Sequence, residues 1–396
     1  MIRTIASGNW LTRERVSAVA LISAIVGMAM LAVLFVDRHG TVDPFGQPVG
    51  SDFTAFWNAG RIANLGHAAS AYDPRILNAA VKATHRVDYA MAWIYPPTFL
   101  FVASPLARLP YLAALLLWQM LSLAAVAAVL HAILGDRRAL FVALASPITP
   151  MVLAGGQNSF LSAALLGSGL ILLDRRPSTG GSVFGALTYK PQLGLAIAPL
   201  LLCRRNWRAI TAAIVVAGVL AITSAMLWGK ESWAAFPNGL ANGRAWMEQG
   251  GAGFHKSASL FSLARLWGVA IPAAYGVQLL GLLFALFVIW RTARATPGML
   301  NAGACAAVAL ATPYFMDYDT ATVGLGASFF FAEGRQSGFL PYERSGLAFI
   351  WVALWFSRPA AEFLRLPLGP FATLLLACLV PIRTARTASQ PSGLSS

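Results

Sequence analysis

The stretch "GSDFTAFWNAG" (50–60) sets one carboxylate, Asp52, at the head of a row of aromatics, shortly after a long apolar run. A carboxylate there has two readings. It is the N-cap of a helix starting near Phe53, with Ser51 as rival for that place, since Ser and Asp both cap well. Or it is a general base, able to take the proton of a hydroxyl. Spacing alone does not choose between them. A second charge stands where charge is costly, Lys190 in "FGALTYKPQLGLAIAP" (184–199). At membrane depth a lysine costs about 2.5–3.5 kcal/mol on insertion scales and marks a functional position by default. The alternative is a lysine snorkelling from a helix end. Pro191 breaks the helix beside it.

Three more polar turns interrupt apolar sequence. "GGQNS" (155–159) carries Gln157 and Asn158, "TPYFMDYDT" (312–320) carries Asp317 and Asp319, and "GFHKSASLFSLARLWG" (253–268) carries His255 and Lys256. Two carboxylates at i, i+2 do not share a helix face, so at most one of Asp317 and Asp319 is expected to enter a common cleft. The five histidines, His39, His67, His85, His131 and His255, lack metal-ligand spacing. Cys203, Cys305 and Cys378 lie far apart and imply neither a disulfide framework nor a zinc site. No Walker loop or G-x-G-x-x-G is present, so a nucleotide-using cytoplasmic enzyme has no support.

The elements that position these residues are membrane helices. Of 396 residues 58% are hydrophobic and only 11% charged, where soluble domains carry about a quarter charged residues. Apolar runs near the ~20 residues that cross a bilayer recur along the chain, which predicts a single all-α integral membrane domain over 1–396. The first run, 16–36, is too long for a signal-peptide core and reads as a retained anchor. Further spans are expected at 111–134, 139–154, 159–173, a broken pair in 181–202, 209–228, 273–290, 299–316, 320–332, 345–357 and 368–382. With the N-terminal tail in the cytoplasm, the clusters at 136–138, 174–176, 203–208, 291–294, 333–344 and 383–386 fall on one side. With the tail they hold 16 Lys/Arg and 5 Asp/Glu, +11 of the net +14. About twelve crossings with both termini inside, and 383–396 as a cytoplasmic tail, satisfy the positive-inside rule. This holds only if "PPTFLFVASPLARLP" (96–110) does not cross, and it reads as interfacial or re-entrant. Dispersed between spans, the basic residues encode topology and give no sign of nucleic acid binding.

Two long segments then face outward, 37–110 and 229–272. In the first, Phe53, Phe56, Trp57 and Gly60 recur at helical spacing, which predicts an amphipathic helix lying in the headgroup layer. "YDPRILNAAVKATHR" (72–86) predicts a second, with Asp73 as cap and Pro74 at its first position. Each polar turn taken alone is ordinary. Their convergence is not, since every polar, non-basic cluster of the core falls on the outer face.

Taken together, "SDFTAFWNAGRIANLG" with "AYDP", "YPPTFLFVASPLARLP" with Trp118, "GGQNSF", "GALTYKPQLGLAIAPLLLCRRNW", "KSASLFSLARL" and "TPYFMDYD" make the chain resemble the polytopic GT-C glycosyltransferases of family 87. These are membrane mannosyltransferase-like proteins that use polyprenyl-phosphate sugars. The resemblance spans residues 51 to about 320. It implies a GT-C type fold in the cytoplasmic membrane, with the active site on the periplasmic or exterior face and a catalytic acid in the first outer loop. That role maps onto Asp52. The chain departs from the family where "HKSAS" replaces an Asn-Gln-Ser pattern, and where "FMDYD" carries two acids at a place often held by His.

The resemblance implies transfer of a hexose, mannose by analogy, from a polyprenyl-phosphate donor to a glycolipid or glycan acceptor. Asp52 would be the base. Lys190, Arg61, Lys256 and His255 are candidates to hold the departing phosphate. Gln157, Asn158, Tyr95, Tyr189, Gln192, Asp317 and Asp319 are candidates to orient sugar and acceptor. One displacement with one base inverts the anomeric centre, unlike the carboxylate pair of retaining hydrolysis. Lysine or arginine can hold a monophosphate, so no cofactor is expected, and the sequence is silent on a divalent metal. The rival reading is a transporter or flippase of a lipid-linked sugar. Transporters show repeated halves and ionisable groups at the midplane; this chain has no internal repeat and no deep carboxylate.

Overall fold

The structure, a computed structural model, describes residues 2–388. Among them there are helices and three isolated bridges, but no strand. Five helices are long and apolar enough to cross a membrane: Arg13–Val36, Tyr111–Leu134, Trp207–Trp228, Ile271–Thr292 and the Leu368–Arg386 stretch of the last helix. A sixth crossing results if Glu343–Trp355 and Ser357–Leu364, bent by 64° at Phe356, count as one span. Ser159–Leu172, Pro191–Cys203 and Pro297–Leu310 are shorter apolar helices.

Several expected spans are therefore short or broken. The run 139–154 divides into Ala139–Ala145 and Thr149–Gly155, because Pro147 forces Ser146 into an extended conformation (ψ 133°). The run 181–202 breaks at Lys190 (φ −122°, ψ 74°), as Pro191 predicts. Residues 96–110 hold only the ten-residue stretch Pro97–Leu106, about 15 Å at 1.5 Å per residue, half a bilayer.

Small residues fix the helix contacts. In Arg13–Val36 only Ser23, Gly27 and Leu31 are buried, one face at fourfold spacing. A Cβ on Gly27 would come 2.7 Å from Pro150 Cγ. The lipid-exposed helix Trp207–Trp228 is held by Pro177–Ala186, where Cβ atoms on Gly181 and Gly185 would meet the carbonyl oxygens of Ala209 and Ala213 at 2.1 and 2.7 Å. This is the small-residue approach that membrane helices use in place of a hydrophobic drive. Pro297–Leu310 is the central helix, buried without interruption from Met299 to Leu310.

Two expectations need correction. Phe53–Asn64 does not lie half-submerged with a polar face in the headgroups, since ten of its twelve residues are buried in protein. Its apolar side packs on Leu100–Leu106, with Gly60 against the Ala103 carbonyl. Its polar side is covered by Pro74–His85, through Thr84 Oγ1 donating to Asn58 Oδ1 (2.9 Å) and a Thr54–His85 hydrogen bond (2.5 Å). Burial lowers the His85 pKa to about 4, so the ring is neutral there. Second, the last helix runs on through Ala388, so 383–388 are helical and only 389–396, outside the described residues, remain of the expected tail. Arg383 is buried, paired to Glu343, and donates to Ser337 Oγ (2.6 Å) and the Gly338 carbonyl (2.8 Å). The segment 229–272 is mostly helical, as Lys230–Glu248 and Leu260–Leu266. The helix Pro74–His85 forms as expected, with Asp73 Oδ1 accepting from Arg75 N (2.9 Å) and Pro74 at its start.

Candidate active site

Asp52 lies outside the spanning helices, where the chain enters Phe53–Asn64. Its backbone N–H donates to the Gly155 carbonyl (3.0 Å). It occupies the N-cap position with helical dihedrals (φ −86°, ψ −27°), yet its side chain accepts no hydrogen bond from the helix. The capping reading therefore fails on geometry, and the carboxylate is left to the site. "SDF" and "GGQNS" fit each other closely. A Cβ on Gly155 would stand 3.1 Å from Asp52 Oδ2, and one on Gly156 (φ +63°) only 2.6 Å from Phe53 Cβ. Trp118 Nε1 donates to the Gly156 carbonyl (3.0 Å) and fixes the turn.

Burial raises the Asp52 carboxyl above the ordinary carboxylate range. The neighbouring Gln157 amide pulls it down, Asp317 pushes it up, and Arg358 and Lys256 pull it down again. Gln157 and Asn158 are buried, and Gln157 Oε1 and both polar atoms of the Asn158 side chain lack a hydrogen-bond partner in the protein. Buried polar groups are rarely left so. These amides can accept from and donate to the hydroxyls of a bound sugar or acceptor.

An aromatic stack forms the opposite wall. Phe99 lies 5.1 Å from Phe56, 4.7 Å from Tyr95 and 4.9 Å from Tyr189 between ring centroids. These rings join Phe53–Asn64 and the stretch Pro97–Leu106 to the broken helix at Lys190. Tyr189 is further held by a 2.8 Å hydrogen bond with Ser162. Burial, then the Asp319 and Asp52 charges, drive the Tyr95 pKa well up, so its phenol stays protonated. Gln192 is half-buried in the turn Pro191–Leu193.

The cations expected at a phosphate separate. Lys190 is buried and its Nζ bonds Asp319 Oδ1 at 2.7 Å, an oxygen that also accepts from Ser159 Oγ (2.9 Å). Arg61 stacks over Trp57 at 4.9 Å, nine residues and about 13 Å along the helix from Asp52. Lys256 is exposed on the turn Phe254–Lys256 and within electrostatic reach of Asp52. His255 is half-buried on the same turn. That turn is tied to "PYFMD" by the Ser257–Met316 bridge and by Ser257 Oγ and Ala258 N–H donating to the Phe315 carbonyl (2.9 and 2.8 Å). Asp317 and Asp319 diverge as their spacing predicts. Asp319 takes Lys190, and Asp317, only 1% exposed, takes Arg358.

Arg358 is the residue that sequence reading missed. A signal was present, because Arg358 and Arg365 fall on the outer side of the alternation and break the inside bias of the other basic clusters. Among the described residues no group of three or more His, Cys, Asp or Glu is arranged to hold a metal ion.

The family model described as Glycosyltransferase family 87 matches residues 93–313, over half of the chain. No curated protein and no solved structure matches. The matched stretch holds Tyr95, Phe99 and Tyr189 of the aromatic wall, "GGQNS", Lys190 and the 253–257 turn, while Asp52, Phe56, Asp317, Asp319 and Arg358 flank it and fold onto it. With its apolar helices and this match, the chain belongs to glycosyltransferase family 87 and is a multi-pass membrane glycosyltransferase.

Proposed function

We propose that the protein transfers a hexose, mannose by family resemblance, from a polyprenyl-phosphate donor to a glycolipid or glycan acceptor at the outer face of the cytoplasmic membrane. The observation that carries this reading is the state of Asp52. Its carboxylate is bonded to no helix N–H, is made more basic by burial, and stands beside Gln157, whose Oε1 is unpartnered, and Asn158, whose side-chain polar atoms are unpartnered. In the reaction the acceptor oxygen bonds the anomeric carbon while its proton passes to Asp52. The bond from that carbon to the phosphate oxygen breaks, and its electron pair leaves on the phosphate. Gln157, Asn158, Tyr95, Tyr189 and Gln192 orient the sugar and acceptor. Lys256 adds positive charge from the outer turn, and His255 offers a hydrogen-bonding ring beside it. The buried Lys190–Asp319 pair braces the wall behind them.

Membranes given a radiolabelled polyprenyl-phosphate mannose should form a labelled glycolipid or glycan. A nucleotide hexose should give none once endogenous polyprenyl phosphate is depleted. The opposite preference would remove the donor assignment.

Twelve crossings with both termini inside require paired half-length helices to count as crossings, and they put Asp52 outside. In a background lacking Cys203 and Cys378, a cysteine at the exposed position of Phe45 should react with an impermeant thiol reagent in intact cells. One at Arg205 should not. Labelling at Arg205 alone would turn the protein over and put Asp52 in the cytoplasm.

A further inference from the structure

Four cations were expected near the donor phosphate from sequence, yet Lys190 is neutralised by Asp319 and Arg61 stacks on Trp57 away from Asp52. The cation built into the site is Arg358. Its Nε and Nη2 both bond Asp317 Oδ2, at 2.8 and 2.7 Å. Both contacts fall on one carboxylate oxygen, and a guanidinium has five N–H donors in a fixed fork. The side chain is 38% exposed while Asp317 is 1% exposed, so the carboxylate anchors the fork from behind and the remaining donors face outward. Arg358 also acts electrostatically on Asp52, and its helix packs against the turn that carries Lys256.

The same helix carries the second half of the observation. Ser357–Leu364 is set at 64° to the apolar helix before it. It buries Ser357, Ala360 and Ala361 and exposes Phe363 and Leu364, at 77% and 73%. The anchored cation sits about 8 Å along the helix axis from two bare apolar side chains that close the helix on its other faces. A ligand that is anionic at one end and hydrocarbon beyond it matches that order; a soluble phosphate would use only the first part.

We propose that Arg358, anchored by Asp317, receives the phosphate of the lipid-linked donor, with Phe363 and Leu364 facing the donor's hydrocarbon chain. This rests on the polyprenyl-phosphate reading above. When the sugar leaves, the electron pair released onto the phosphate oxygen develops opposite this fork, with Asp52 on the other side of the anomeric carbon.

Binding tests the assignment without turnover. Full-length protein in nanodiscs is titrated with a sugar-free polyprenyl monophosphate, with the parent polyprenol and inorganic phosphate as competitors. The wild type should bind the monophosphate and ignore both competitors at matched concentration. Arg358→Gln should weaken binding about tenfold or more, the scale of a charge-assisted contact, while Asp52→Asn, which removes a nearby negative charge, should bind at least as tightly as the wild type. Because Arg358→Gln leaves buried Asp317 without its cation, Arg358→Lys is titrated in parallel. It should bind about threefold to tenfold more weakly, since lysine keeps the charge and loses the fork. Wild-type affinity in Arg358→Gln overturns the proposal, as does unchanged affinity in Arg358→Lys if the glutamine variant fails to accumulate. Displacement by inorganic phosphate at matched concentration makes this a free-phosphate site and overturns the lipid assignment. A wild type that binds no polyprenyl monophosphate removes the donor reading itself, and this proposal with it.

Discussion

Asp52→Asn is expected to accumulate in the membrane at wild-type levels and to transfer sugar at least a hundredfold more slowly. Asparagine is nearly isosteric with aspartate and can make most of its contacts, but it cannot take a proton. Loss of a general base typically costs about 10² to 10⁴ in rate. Folding offers no competing explanation, because the Asp52 side chain caps nothing. Stability should in fact rise. Burial raises the folded carboxyl above the 3.8 of an ordinary aspartate, so its favourable contribution is present below that pH and is lost as pH rises through the folded value. At neutral pH the ionised group therefore strains the fold, and the neutral amide relieves it. The melting temperature of Asp52→Asn should exceed wild type at pH 7 and converge with it below about pH 4. For the wild type, activity should fall on acidification at a higher pH than an ordinary carboxylate would allow. A variant that keeps more than about a tenth of wild-type transfer, well outside that range, would move the search for the base to Asp317 and Asp319.

The second large effect is on stability. Lys190→Met is expected to destabilise the protein by about 3–5 kcal/mol, the cost of stranding one member of a buried ion pair. Read from sequence as a lone charge in an apolar run, Lys190 looks cheap to remove. The 2.7 Å contact with Asp319 reverses the sign, since removal leaves a carboxylate that is 13% exposed with Ser159 and a backbone N–H as its remaining partners. Adding Asp319→Asn should restore more than half of the loss, because the pair's attraction and desolvation nearly cancel. Thermal unfolding in detergent of the two single variants and the double variant completes the cycle. If Lys190→Met melts with the wild type, the pair is not a structural brace and Lys190 returns to the phosphate site.

What was legible in the sequence follows a physical division. Local chemistry reads well. Pro74 after Asp73 starts a helix, Pro191 breaks one, and Asp317 and Asp319 at i, i+2 part to different cations. Convergence was also legible, because the polar turns at 155–159 and 312–320 meet Asp52 and Lys190 in the fold. Partners distant in the chain were not legible. Thr84 and His85 cover the polar side of Phe53–Asn64, so a sequence with the pattern of a surface helix is buried on both sides. Lys190 and Asp319 are 129 residues apart, and Arg358 finds its partner Asp317 41 residues back in the chain. Span continuity was not legible for a related reason. Hydropathy counts apolar residues, whereas Ser146–Pro147 and Phe356 bend the chain where composition still reads as one run.

The measurement that bears most directly on a single displacement driven by Asp52 is the anomeric configuration of the product. Proteoliposomes holding wild-type protein are given one equivalent of ¹³C-labelled polyprenyl-phosphate mannose, and the new glycosidic linkage is read by NMR after a single round. Inversion relative to the donor, with no detectable product from Asp52→Asn on the same timescale, is the expected result. Retained configuration, or the same product formed as fast by the asparagine variant, would contradict it.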